Sequence, residues 1–247
     1  MKQEYDKYTP EDHQVWQILY DRQMEVLPPI ASKEYLEGIK KCRFARTHIP
    51  NFDEVNDALQ KATGWQVYVV PGLIDNKPFF EFLSDKKFPA TTWLRKMSQI
   101  DYLEEPDMFH DTFGHVPLLS IQPFVGFLES LARISLKHID NPWAVELLAR
   151  LYWYTIEFGL ILENGELKIY GAGILSSSGE SVYAIKSDVP QRLPFDISTI
   201  FRTPYIKDKY QQQYFVIDGF DSLFNSIAEV EALLETELKR PDPSFKS

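Results

Sequence analysis

The sequence predicts a mainly α-helical fold with small β-strand content, an α+β arrangement in one domain. Three observations predict it. Apolar residues recur at helical spacing in long stretches that open on capping residues. Alternation of the strand type is confined to short runs. No repeat, low-complexity stretch or linker divides the 247 residues, and 44% hydrophobic content suffices for one large core, so residues 1–247 are read as a single domain.

The elements follow in order. Thr9-Pro10-Glu11-Asp12 supplies an N-cap, a proline at the first helical position and acids in the first turn, so a helix runs to about Val26 before Pro28 and Pro29. A second helix follows Ser32. A third follows Asn51, with Val55, Ala58, Leu59 and Ala62 on one face until Gly64. Trp65, Val67 and Val69 alternate as a short strand. Gln122 to about Lys137 carries Phe124, Phe127, Leu128, Leu131 and Ile134 on an apolar helical face, and Asn141-Pro142 opens another helix reaching about Phe158. Asn164-Gly165 between apolar flanks marks a hairpin over Leu160 to Tyr170. Tyr170-Gly171-Ala172-Gly173 is glycine-rich, as where backbone passes close to something. Ser177 and Glu180 form a capping box for a short helix, Tyr214 to Ile217 reads as a strand, and Asp221 caps a last helix to about Lys239. Residues 241–247 read as a loose tail.

Composition excludes several functions. A net charge of -10 opposes a phosphate backbone, so nucleic acid is not an expected partner. No leader pattern stands near either end, and every long apolar stretch is broken by Glu, Arg or Lys, so the expected setting is cytoplasmic with no membrane partner. Cys42 is the single cysteine; an intrachain disulfide and a thiolate cluster are both impossible. Any metal must then use histidine and carboxylate.

Glu104 to His115 gathers four carboxylates and two histidines in twelve residues, followed at once by the apolar run Val116-Pro117-Leu118-Leu119. His110 and His115 are five apart, which on a regular helix places them about 140° apart around the axis. The H-E-x-x-H pattern of zinc proteases is therefore absent. Gly114 and Pro117 supply a reason for helix distortion that would let both rings converge. Spacing alone leaves two readings open: a chelating pair, or two surface histidines beside a helix cap. Glu157 sharpens the choice, because it lies in the bulky apolar run Tyr152-Trp153-Tyr154-Thr155-Ile156-Glu157-Phe158. A buried lone carboxylate costs several kcal/mol unless paired or ligated, by roughly the desolvation of one ion. Its partner is either an arginine, such as Arg95 or Arg150, or a metal held jointly with His110 and His115. Two histidines and one carboxylate on one face of an ion leave open positions, which suits non-haem iron(II) and oxygenase chemistry.

Residues 48–220 resemble the catalytic domain of the pterin-dependent aromatic amino acid hydroxylases. The resemblance rests on three ordered motifs: Glu105-Pro106-Asp107 with His110 and Gly114-His115-Val116-Pro117-Leu118; Tyr152 to Leu160; and Tyr170-Gly171-Ala172-Gly173-Ile174-Leu175-Ser176-Ser177. It implies one such catalytic domain, with Fe(II) on His110, His115 and Glu157 and a tetrahydropterin as cofactor. It also implies roles for other residues. Arg95 would clamp the substrate carboxylate, as a guanidinium fork suits, and Asp107 would hold Arg95. Ser176 would hydrogen-bond an iron-bound imidazole. Gly72, Leu73, Ile74, Asn76 and Phe79 fall on the pterin loop, with Asp111 receiving pterin N–H groups and Tyr152 near both iron and pterin. Pro106, Trp153, Phe158 and Gly173 would surround the substrate. Plain capping or core packing remains the alternative for Asp107, Ser176 and Phe79.

The implied activity is ring hydroxylation of an aromatic amino acid with O2. Trp153 is similar to the phenylalanine and tyrosine branches, and the compact chain looks like the bacterial phenylalanine-hydroxylating members, which implies L-phenylalanine to L-tyrosine and a monomer. Lys207 departs from this, standing where that branch places an apolar pocket residue; facing the ring, it would indicate tyrosine, tryptophan or another ring position. Two other classes remain as alternatives: a zinc hydrolase with the same three ligands, and an inactive pterin- or metal-binding partner protein.

Overall fold

The computed structural model describes residues 1–101, 105–207 and 209–240; the tail expected at 241–247, and Glu104 of the acidic cluster, lie outside the described residues. Helix α1 (Pro10–Val26) begins with a reciprocal cap, Asp12 N–H donating to the Thr9 hydroxyl at 3.2 Å and Thr9 N–H donating to the Asp12 carboxylate at 2.8 Å. Ser32 and Asn51 cap α2 (Lys33–Lys41) and α3 (Phe52–Ala62) through their side chains. Strand β1 (Gln66–Val69) pairs in parallel with β2 (Lys87–Ala90), and the crossover between them is α4 (Asn76–Ser84). Helix α5 (Gln122–Lys137) packs against α4. Helix α6 (Pro142–Tyr152) has Asn141 as its cap, as the sequence predicts.

A second sheet closes the other side. Strands β3 (Gly159–Glu163) and β4 (Glu166–Ile169) form the predicted antiparallel hairpin, with Asn164 and Gly165 both in the left-handed region at φ 52° and 82°. Those values are what a tight two-residue hairpin loop requires. Short helices α7 (Ala172–Leu175) and α8 (Ser178–Lys186) follow, then β5 (Gln191–Pro194), α9 (Ile197–Phe201) and β6 (Gln213–Ile217). The sheet order is β4-β3-β6-β5, with β6 parallel to both of its neighbours. The last helix, α10 (Phe220–Leu238), lies along α5.

Two caps differ from expectation. Asp221 does not cap α10; Gly219 occupies the cap position without a side-chain bond, and Asp221 sits inside the first turn, where its charge still complements the helix N-terminus. Ser177 does accept from Glu180 N–H at 3.3 Å, but the Glu180 carboxylate is drawn away by Tyr214 and Gln211, so the box is only half made.

One continuous apolar cluster runs from α1 to α10. Its aromatic heart holds the site's main segment in place: Phe109 and Phe113 stack at 4.7 Å, and the Trp16 ring meets Phe109 edge-on at 5.4 Å. Such aromatic pairs contribute about 0.5–1.5 kcal/mol beyond their buried area. No helix among the described residues is long and apolar enough to cross a membrane.

Candidate metal centre and active site

The five-residue histidine spacing is resolved by a π-helical turn over Phe109–His115. In that geometry hydrogen bonds run from i to i+5, and the wider turn brings residues five apart nearer one face than a regular α-helix does, so the His110 and His115 rings meet edge-on at 5.1 Å. The sequence explains why the wide turn persists. Pro117 has no N–H for the carbonyl of Phe113, four residues earlier, and the Tyr35 hydroxyl donates to that carbonyl instead, at 2.8 Å. Gly114 lets the segment lie against α7; a Cβ there would stand 2.8 Å from the Ala172 carbonyl oxygen.

Glu157 reaches the same point through a second π-helical turn, Trp153–Glu157, which continues α6. Its marker bond is Phe158 N–H to Trp153 O at 2.8 Å. The buried Thr155 hydroxyl donates to Leu151 O at 2.6 Å, a back-bond of the kind that bends helices. The glycine-rich segment predicted to pass close to something passes this turn: a Cβ on Gly171 would lie 2.5 Å from the Glu157 carbonyl oxygen.

The three side chains converge. His115 Nε2 lies 3.2 Å from Glu157 Oε1 and His110 Nε2 lies 3.6 Å from Glu157 Oε2. One ligand atom from each can be chosen with all separations within 4.8 Å. Metal–donor bonds of about 2.1 Å put neighbouring donors roughly 3 Å apart, which the two imidazole–carboxylate separations approach. The protonation pattern suits an ion too. The Ser176 hydroxyl donates to Ala172 O at 2.9 Å, so toward His110 Nδ1, also at 2.9 Å, it must accept. That fixes the proton on Nδ1 and leaves the Nε2 lone pair facing Glu157. The arginine alternative fails: Arg95 is paired with Asp107, and Arg150 with Glu146 and the Phe201 carbonyl. The surface-histidine alternative fails as well, since His115 is only 4% exposed.

A cavity of about 160 Å³ opens beside the triad. It brings together Gly72, Leu73, Ile74, Phe79, Pro106, Asp111 and Tyr152 with the three ligands. Asn76 is not among its walls; it is exposed at the start of α4. Phe79 meets Tyr152 edge-on at 5.6 Å. The Asp111 carboxylate accepts from Thr91 N–H at 2.8 Å, and burial pushes its pKa up against the partial offset from His110 and Thr91. Burial, then the nearby Glu157 and Asp111 charges, raises the Tyr152 phenol well above its usual range.

Arg95, Asp107, Trp153, Phe158, Gly173 and Ser176 lie outside that cavity wall. Asp107 is fully buried and accepts from Arg95 N–H, Nε and Nη2 at 3.0, 2.8 and 3.0 Å, and from His110 N–H at 3.3 Å. One edge of the guanidinium is thus committed, and Nη1 has no partner among the described residues. Trp153 packs against Phe158 at 4.7 Å with the rings tilted by 32°, and stacks on Tyr205 at 4.6 Å. The room at Gly173 is taken by the Phe158 ring, whose Cζ would stand 2.7 Å from a Cβ there. Lys207 is exposed, with Nζ 5.5 Å from the Tyr205 ring centre.

Sequence reasoning missed Thr91, Phe88, Tyr205 and Gln211. Phe88 lies against the His115 ring at 4.7 Å, and Gln211 accepts from the Trp153 indole at 3.1 Å. None belongs to a motif or a regular period, so only the folded chain reveals them.

Residues 4–241 match the family described as biopterin-dependent aromatic amino acid hydroxylase. The chain belongs to this family. It is 48% identical over 226 residues to a phenylalanine-4-hydroxylase of Ralstonia nicotianae, covering 92% of this chain and 72% of that protein. It is 45% identical over 243 residues to the phenylalanine-4-hydroxylase of Chromobacterium violaceum, covering 98% and 82%. The crystal structure of the Chromobacterium violaceum enzyme with bound oxidised Fe(III) superposes with a TM-score of 0.93 at 46% identity, over 98% of this chain and 88% of that one. The catalytic fold read from the three motifs is therefore the fold observed.

Proposed function

We propose that the chain is an iron(II)- and tetrahydropterin-dependent monooxygenase that hydroxylates the ring of L-phenylalanine to give L-tyrosine. The observation that carries the reading is the convergence of His110, His115 and Glu157, with Ser176 fixing the His110 tautomer so that Nε2 faces the shared point. Relatives named phenylalanine-4-hydroxylase at 45–48% identity over most of the chain support this substrate. When bound, iron and tetrahydropterin supply the electrons and the Lewis acidity that make O2 reactive toward an arene.

The protein's own residues bind, orient and exclude water. His110, His115 and Glu157 hold the ion on one face. Gly72, Leu73 and Ile74 present loop backbone to the pterin, Phe79 offers its ring, and Asp111 offers a carboxylate already held by Thr91. Asn76, exposed, takes no part in this wall. Arg95 presents to the substrate carboxylate its Nη1 side, which has no partner among the described residues, while Asp107 ties that arginine to the backbone of His110. Pro106, Tyr152, Trp153 and Phe158 shape the space around the aromatic ring, and Gly173 contributes by admitting the Phe158 ring. The match to the biopterin-dependent hydroxylase family, and relatives named phenylalanine-4-hydroxylase, favour this reading over a zinc hydrolase. The reading extends to one catalytic domain working as a cytoplasmic monomer, which light scattering in solution tests.

The deciding experiment is anaerobic reconstitution with iron(II) and tetrahydropterin, admission of O2, and separate assays on phenylalanine, tyrosine and tryptophan with identification of each product. Tyrosine from phenylalanine is expected. Preferential hydroxylation of tryptophan or tyrosine, or no product with iron loaded, would overturn the assignment.

A further inference from the structure

Trp153 has a single polar atom, and a residue remote in sequence holds it. Its Nε1–H donates to Gln211 Oε1 at 3.1 Å, while Gln211 Nε2 donates to the Ile206 carbonyl at 2.7 Å. Because that carbonyl can only accept and the indole N–H can only donate, the amide has one admissible orientation. Gln211 is itself fixed: it is 2% exposed, and its N–H donates to Glu180 Oε1 at 3.1 Å, an oxygen that also accepts from the Tyr214 hydroxyl at 2.8 Å. The same stretch of chain supplies Tyr205, near-parallel to the Trp153 ring at 4.6 Å and 24°, and is pinned at Pro204 O by the Tyr154 hydroxyl at 2.9 Å. The indole is therefore fixed in its plane by Gln211 and against its face by Tyr205.

We propose that Gln211 is a positioning residue for the hydroxylation: by fixing the indole of Trp153 it sets the wall against which the substrate's aromatic ring lies. It thereby governs amino acid affinity and the coupling of pterin oxidation to ring hydroxylation. This rests on the reading of Trp153 as part of the substrate space. A loose indole would let the substrate ring wander, and displacement on the order of 1 Å in a reacting geometry is costly. Gln211 lies in none of the three family motifs and does not border the cavity beside the metal ligands, so its effect should separate from pterin and metal binding.

The test compares holoenzymes of wild type, Gln211→Leu and Gln211→Glu, reconstituted with iron(II) and tetrahydropterin. The leucine fills the space but offers no acceptor, and is expected to raise the KM for phenylalanine roughly tenfold, the order that one orphaned buried N–H produces. The KM for tetrahydropterin should stay within about twofold, while tyrosine formed per pterin oxidised falls. Gln211→Glu, neutral in this buried site, keeps an acceptor for the indole and an O–H donor for the Ile206 carbonyl, and is expected to bring the phenylalanine KM back to within about threefold of wild type. Unchanged phenylalanine KM and coupling in the leucine variant, or equal rises for both cosubstrates, would overturn the proposal. If the leucine variant does not fold, Gln211→Asn, one methylene too short to span Trp153 and Ile206, must show the raised phenylalanine KM that Gln211→Glu does not. The same KM in these two variants overturns the proposal equally. Wild-type enzyme that makes no tyrosine would instead strike at the functional reading itself.

Discussion

At the scale of single residues, Asp107 is the join between the two halves of the chemistry. A fully buried carboxylate is tolerable only when its lone pairs are filled, and here the Arg95 backbone and guanidinium and the His110 N–H fill them. Deleting the Arg95 charge would therefore leave Asp107 unpaired and loosen the His110 backbone, whereas a cation kept at this position still holds Asp107. Arg95→Lys keeps the charge but loses the planar fork, so one ammonium cannot serve both Asp107 oxygens and a substrate carboxylate. We expect the KM for phenylalanine to rise about tenfold or more, with iron content per chain unchanged. Steady-state kinetics on metal-analysed protein checks this; an unchanged KM would remove Arg95 from the clamp. The pair was legible in sequence only through the family's motif spacing, because a separation of twelve positions says nothing of contact. Gln211 and Thr91 were not legible at all, since their roles are made by backbone from other parts of the fold.

At the scale of elements, the sequence was most readable where local chemistry decides. Thr9, Ser32, Asn51 and Asn141 each cap the helix expected of them, and Asn164-Gly165 turns the hairpin. It was least readable where tertiary contacts decide. Strands β2 and β5 carry Pro89 and Pro194 and lie at sheet edges, where a missing N–H is tolerated but periodicity is too short to see. The two π-helical turns are invisible to a 3.6-residue template, yet they carry all three candidate metal ligands. The α1 cap yields a test with a defined sign. Burial would raise the Asp12 carboxyl, but the Thr9 N–H and hydroxyl and Lys96 prevail and lower it. Its stabilisation is therefore present above the unfolded pKa of about 3.9 and is lost as pH falls through the lower folded value. Asp12→Asn should cost roughly 1 kcal/mol at neutral pH, with the difference from wild type shrinking below about pH 3.9. Denaturant melts of both proteins across that range measure it, and a pH-independent difference would refute the electrostatic part of the cap.

At the scale of the whole molecule, the α+β proportion follows from capped amphipathic stretches and few alternating runs, but the meeting of distant segments does not. His110 and His115 are carried by a turn braced by α2 through Tyr35, Glu157 by the continuation of α6, and Ser176 by the end of α7. An ion bound at their meeting point binds the folded chain and has no comparable site in the unfolded one. Linkage then requires stabilisation by RT ln(1 + [L]/Kd), about 2.7 kcal/mol at a hundred times Kd. For a chain of this size that corresponds to a rise in Tm on the order of 5–10 °C, from roughly 2–4 °C per kcal/mol. Adding iron(II) anaerobically to metal-free wild type should produce that rise, and a chelator should reverse it. Glu157→Ala, His110→Ala and His115→Ala should keep a helical far-UV spectrum yet show neither the rise nor stoichiometric iron. A variant that still gains the full shift would remove its residue from the ligand set. A wild type that gains none while binding iron would place the ion somewhere other than the junction of these segments.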